Sequence, residues 1–257
     1  MNLAEFNQWV GYLTMAAAAG VLAQLVWLGL VRRYLWLVSY FLADVLQSAL
    51  TIGVSRQSFW YGYIYFGGQA AKALLAVAAS TQLWLLALRA YPALAQFGRR
   101  VAIYMLLGAL LLAAAGAWLL EPPRSTDQSI FPHYFNALEG AVDSMVVLFL
   151  VAATLFLLWF PVEVPRNVAV VIGGLVFYLF QYWAGLLLVN LYPQSAHGIG
   201  AVALSLYAAV LIFWIVAIRN KGESVTAVTG HRWNPEEAER LLGQLDAINA
   251  RLEQAAR

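Results

Sequence analysis

The chain reads as an all-α integral membrane protein: a seven-transmembrane-helix bundle, N-terminus outside and C-terminus inside, ending in a short cytosolic amphipathic helix. Three observations predict this. Of the 257 residues, 63% are hydrophobic and 11% charged, against roughly half and a quarter in soluble domains. Seven apolar stretches approach the ~20 residues that cross a bilayer's hydrocarbon. Beyond residue 219 the composition turns polar and a heptad pattern begins. The same numbers exclude other classes. A net charge of +2 carries no argument for a nucleic-acid partner, and the absence of cysteine excludes disulfides, thiolate nucleophiles and Cys metal sites.

The stretches are roughly 9–31, 35–54, 64–88, 101–120, 138–160, 168–190 and 198–219. The first two form one run broken only by Arg32 and Arg33. A single helix over that run would reach about 69 Å, too long for one crossing, so the Arg pair marks a turn at the membrane face. Basic residues then set the orientation. Arg32, Arg33, Arg89, Arg99, Arg100, Arg166, Arg219 and Lys221, with Arg232, Arg240, Arg251 and Arg257 of the tail, fall on one side. Only Arg56 and Arg124 fall on the other. The basic-rich side is cytosolic, and the expected location is a bacterial inner (plasma) membrane. Residues 1–6 lack a basic n-region, so the first helix is expected to be retained. Trp60, Tyr61 and Tyr63, Trp118, Tyr34 and Trp36, and Trp159 with Phe160 sit at the ends of stretches, where amphipathic rings favour the headgroup level. The longest outer loop, Glu121 to Ala137 with Pro122, Pro123 and Pro132, reads as a connector or a lid.

Charges inside the hydrocarbon cost about 2.5–3.5 kcal/mol each on insertion scales, so they need a partner, a cavity or a task. The second stretch carries Arg33, Tyr40, Asp44, Gln47, Ser48, Thr51 and Ser55 at helical spacing on one face. The third carries Gly68, Gln69, Lys72 and Ala76; the fifth Asn136, Glu139, Gly140, Asp143 and Thr154; the sixth Gly174, Tyr178, Gln181 and Gly185; and the seventh Tyr207 near its middle. These groups predict a polar cavity open to the outside, lined by the second, third, fifth and sixth helices. Its expected ligand-binding residues are Asp44, Gln47, Lys72, Asp143 and Gln181. A buried network in which Lys72 pairs with Asp44 or Asp143 explains the same residues without a ligand. Three acids against one lysine tilt the balance toward a protonated acid or a cationic ligand. The small-residue runs Ala16–Gly20 and Ala113–Gly116 read as close helix packing.

Seven helices with an outside N-terminus resemble the rhodopsins in topology alone, because the seventh stretch has no lysine to hold retinal. His133, His197 and His231 lie in loops or the tail, without helical pairing, so haem and intramembrane zinc are not expected. No Gly-x-Ser-x-Gly elbow, phosphate loop or dinucleotide fingerprint appears. The expectation is a protein that is not an enzyme and has no cofactor or metal.

The tail divides into a polar linker, 220–233, and a helix, 234–257, following the transmembrane domain 1–219. Asn234 caps the helix, Pro235 suits its first position, and Glu236 and Glu237 suit its positive dipole end. Ala238, Leu241, Leu245, Ile248, Leu252 and Ala255 form a heptad seam. Through Leu241, Leu245, Ile248 and Leu252 the helix is expected to pair with a second copy or dock a partner protein. Leu242 widens the stripe toward the alternative, a helix lying against the bundle or membrane. Together these features suggest a sensor- or receptor-like protein that binds a small polar or cationic ligand from outside and signals through its tail. A small-solute or proton transporter or channel, and a structural assembly subunit, are the alternatives.

Overall fold

The computed structural model describes residues 3–54, 58–91, 99–100, 102–104, 106–108, 110–111, 130–159, 162–229 and 235–255. Its helices are α1 (Leu3–Trp27), α2 (Leu35–Gly53), α3 (Phe59–Ala87), α4 (Ile130–Trp159), α5 (Arg166–Leu191), α6 (Ala196–Ala217) and α7 (Pro235–Ala255). Two short strands, β1 (Val162–Pro165) and β2 (Thr226–Thr229), pair antiparallel with Val162 opposite Thr229. The protein is all-α in character, and five of the described helical segments are long and apolar enough to cross a membrane: Glu5–Trp27, Leu35–Gly53, Trp60–Ala87, Val142–Trp159 and His197–Ala217. The expected stretch 168–190 lies within α5, whose described apolar segment, Arg166–Gln181, is shorter. Most of the expected stretch 101–120 lies outside the described residues; those described within it are helical.

Local chemistry explains where the boundaries differ from expectation. The turn before α2 is closed by a Schellman arrangement. Gly29 takes a left-handed φ of 67°, its N–H donates to the Val26 carbonyl (3.0 Å), and the Leu30 N–H reaches back to Leu25 (2.9 Å). α3 starts several residues before the expected position because Ser58 caps it, its hydroxyl accepting from the Trp60 N–H at 3.4 Å. α4 likewise begins inside the expected outer loop, so residues 130–137 are helix. Pro132 falls in its first turn, where a missing N–H costs no helical bond. The remainder of that loop, 121–129 with Arg124, lies outside the described residues.

The helices pack in a ring. α1 touches α2, α2 touches α3, α3 touches α4, α4 touches α5, α5 touches α6, and α6 returns to α1; α3 also meets α5 across the centre. Trp214, Phe41, Leu37, Leu25, Val21, Val171 and Leu211 form a nearly solvent-free core between them. The outward surface is also apolar: Leu74, Leu111, Leu148 and Leu155 are each more than 60% exposed. Apolar residues on both the inside and the outside of a bundle are what lipid solvation selects.

At the end of the bundle where the tail leaves, polar groups converge on Glu223. Arg33 Nε lies 2.8 Å from Glu223 Oε2, and the Tyr34 hydroxyl and Asn167 Nδ2 each donate to Oε1 at 2.7 Å. Asn167 also donates to the Arg219 carbonyl (2.8 Å) and accepts from the Arg219 N–H (3.2 Å). Burial, then the hydrogen bond to Glu223, holds the Tyr34 phenol well above the ordinary tyrosine range. Gln24 donates to the Ile218 carbonyl at 2.8 Å, and Gln82 ties α3 to the Arg33 carbonyl at 3.0 Å. Gly222 sits against the Asn167 amide with no room for a Cβ. The segment expected as a linker therefore carries structure of its own. Asn220–Glu223 forms a 3-10 turn, and Thr226–Thr229 pairs with the strand between α4 and α5.

The seam of α7 is not uniformly free. Leu245 is buried within the chain, whereas Ile248 is exposed, and Asp246 lies close enough to Tyr91, beyond α3, to raise its phenol pKa after the effect of burial. Of the residues expected to form the pairing seam, Leu245 is thus covered by its own chain and Ile248 is open to solvent.

Two neighbouring glycines test the packing. A Cβ on Gly174 would strike the Trp214 indole, whereas one on Gly173 meets nothing within 4 Å. Gly174→Ala should cost about 1–3 kcal/mol by overpacking and lower the melting temperature in detergent, with Gly173→Ala close to wild type. Equal effects would contradict the packing described.

Candidate functional site

A polar contact inside the helix ring is built from three helices. On α2, Asp44 lies one helical turn beyond Tyr40, with Phe41 and Leu37 packed on the tail side. Lys72 reaches it from α3, Nζ to Oδ1 at 3.1 Å, and the Tyr207 hydroxyl on α6 donates to Oδ2 at 3.1 Å. The Lys72 and Asp44 side chains are 20% and 15% exposed. At this depth their mutual charge is stronger than in water, and each would be costly alone. Tyr178 on α5 stands against Tyr207, ring centroids 4.4 Å apart.

These groups border a cavity of about 440 Å³. α2 contributes Tyr40, Asp44 and Ser48; α3 contributes Gln69, Lys72 and two alanines; α4 contributes Asp143; α5 contributes Tyr178 and Gln181; α6 contributes Gly200, Ala203 and Tyr207; and α1 contributes Gly11, Thr14 and Met15. The described ionisable groups of the lining are two carboxylates and one ammonium, a formal charge of −1. Gln181 Oε1 is buried with no donor among the described protein groups, an acceptor of the kind that proteins rarely leave unmatched. On the tail side of the cavity the Phe41 ring meets Trp214 edge-on at 5.7 Å, and the Trp214 N–H is taken by the Val170 carbonyl at 3.3 Å. Below them Leu37, Val171, Leu211 and Leu25 fill the space down to the Glu223 cluster.

Of the five residues expected at the site, Asp44, Lys72, Asp143 and Gln181 line this cavity and Gln47 does not. Gln47 is buried one turn further along α2, packs against Gly68, where no Cβ would fit, and donates to the Tyr65 carbonyl at 3.1 Å. Its amide N–H serves the α2–α3 contact, while its Oε1 is buried with no donor among the described groups. The side chains of Glu139 and Asn136 lie outside the described residues. The sequence reading passed over α1 and gave α6 only Tyr207. The available signal was Gly11 and Thr14, three apart on the same face as the small residue Ala18. Thr14 is easily overlooked because its hydroxyl is satisfied by the Val10 carbonyl of its own helix at 2.6 Å.

Compared with protein-family models, curated proteins and solved structures, the chain matches none. The functional reading therefore rests on the site itself.

The ion pair makes a direct prediction. In a Tyr207→Phe background, which avoids an orphaned phenol, Asp44→Leu and Lys72→Met should each destabilise by about 3 kcal/mol, by stranding the other charge. The double variant should recover most of that loss. A double-mutant cycle in detergent unfolding checks this; strictly additive losses would show that the two groups do not interact.

Proposed function

We propose that this is a sensor- or receptor-like membrane protein that crosses the bilayer seven times, N-terminus outside and C-terminus inside, and binds a small cationic or polar ligand in the cavity around Asp44. The observation that carries the reading is a polar cavity that holds the Asp44–Lys72 pair and a buried acceptor, Gln181 Oε1, with no donor among the described protein groups. Its volume falls within the 300–1,000 Å³ typical of small-molecule sites. A ligand with N–H donors supplies what Gln181 lacks, and for a cationic one the Tyr178 and Tyr207 faces add cation–π attraction. The packed Phe41–Trp214 pair and the apolar layer around it on the tail side favour binding over passage, the feature that sets this reading above a transporter.

The response follows from α6. Tyr207 meets Asp44 at the cavity, and the same helix runs to Ile218 and Arg219, which Gln24 and Asn167 hold at the Glu223 cluster. A ligand that competes with Lys72 or Tyr207 for Asp44 favours a different seating of α6 against α2. Differential affinity for two such seatings is the whole thermodynamic requirement for a signal. From the cluster the change passes to β2 and α7, which would present it to a partner protein or second copy.

Thermal unfolding in nanodiscs with methylammonium, ethanolamine and choline, and glycerol as the neutral control, tests the proposal. At least one amine should raise the melting temperature in a saturable way, with Asp44→Asn abolishing the shift. No shift with any amine would refute a cationic ligand. Asp44-dependent efflux of the same probe from proteoliposomes would replace the receptor reading with transport.

A further inference from the structure

A second concavity lies on the outside of the ring, between α5 and α6, on the tail side of the cavity. It has a volume of about 650 Å³ and is lined almost wholly by apolar groups: Val170, Gly173 and Phe177 of α5, and Ala209, Val210 and Phe213 of α6. Its one charged lining residue is Arg166, at the tail-side end of the groove. Gly173 opens it, since its missing side chain leaves free space where a Cβ would sit, and Phe177 and Phe213 stand half-exposed along it.

Two observations identify the occupant. The first is length. From Arg166 to Phe177 the groove follows α5 for about 16 Å at 1.5 Å per residue, close to one leaflet of a roughly 30 Å hydrocarbon layer. The second is charge at one end only. The Arg166 N–H bonds the Val225 carbonyl, and its neighbour Asn167 bonds Arg219. These bonds bring the backbones of Arg166, Arg219 and Lys221 to one patch, where all three residues are exposed. Of the nearby acids, Glu223 is already held by Arg33, Tyr34 and Asn167, and Glu163 lies exposed on β1.

We propose that this groove is a binding site for an anionic phospholipid of the tail-side leaflet. One acyl chain lies over Gly173 between Phe177 and Phe213, and the phosphate is held by Arg166 with Arg219 and Lys221 at its margin. The site rests on membrane embedding alone and is independent of what the inner cavity binds. Because the groove touches Gly174 and Val170, which pack on or bond to Trp214, the lipid would brace the floor of that cavity from outside.

The experiment uses the full chain, delipidated in detergent and titrated with phosphatidylglycerol or phosphatidylcholine of identical acyl chains. Retained 1:1 adducts are counted by native mass spectrometry, and melting temperature is read in parallel. Phosphatidylglycerol should be retained at least tenfold better. Arg166→Gln should remove most of that preference while leaving phosphatidylcholine unchanged. Gly173→Phe, which meets no protein atom at its Cβ, should reduce retention of both lipids while the protein stays folded by circular dichroism. Equal retention of the two lipids, or retention indifferent to both variants, would overturn the proposal. A dimer in wild type that Gly173→Phe abolishes would also overturn it and assign the groove to a second copy.

Discussion

A carboxylate and an ammonium cannot stand alone in hydrocarbon, and the upper half of this bundle is arranged around that constraint. Asp44 and Lys72 lie on different helices and meet at 3.1 Å, and the third helix joins through Tyr207. Once α2, α3 and α6 are drawn together on one carboxylate, the space beside them becomes a cavity whose walls are already polar. The desolvation cost is met by the pair and its hydrogen bonds. The cost of alternative helix arrangements, each of which would strand a charge, makes this one specific.

The opposite end solves a different problem. The α1–α2 turn, the start of α5 and the exit of α6 bring backbone carbonyls and N–H groups close together away from regular structure, and unpaired they would be costly. Asn167, buried, bridges both faces of the Arg219 peptide, and Glu223 gathers Arg33, Tyr34 and Asn167. A packed apolar layer separates the two polar regions, and α6 touches both. Trp214 fills the notch at Gly174 within that layer, and the proposed signal from cavity to tail depends on this packing.

Much of this was legible in the residues. The apolar stretches, the Arg32–Arg33 turn and the polar faces of α2, α3, α4 and α5 follow from hydropathy and a 3.6-residue period. Those faces brought Asp44, Lys72, Asp143 and Gln181 to one lining. What periodicity does not encode is which neighbour a polar group meets. Gln47 shares the Asp44 face yet is consumed by Gly68 and the Tyr65 carbonyl, and Glu223, in a segment that reads as linker, joins a contact with Arg33 far away in sequence. Leu245 fits a heptad seam but is buried in its own chain, because an amphipathic stripe records that a face is covered, not by what.

The central claim is a cavity reached from one side and closed by the Phe41–Trp214 floor. Because the chain has no cysteine, single cysteines report accessibility without background. Ala203→Cys, in the lining, and Val171→Cys, beneath the floor, should be treated in oriented membranes with a membrane-impermeant thiol reagent applied to each side in turn. Labelling of Ala203→Cys only from the side opposite the tail, with Val171→Cys unreactive from both, is the predicted result. Labelling of either position from the tail side would show a continuous path through the bundle and contradict it.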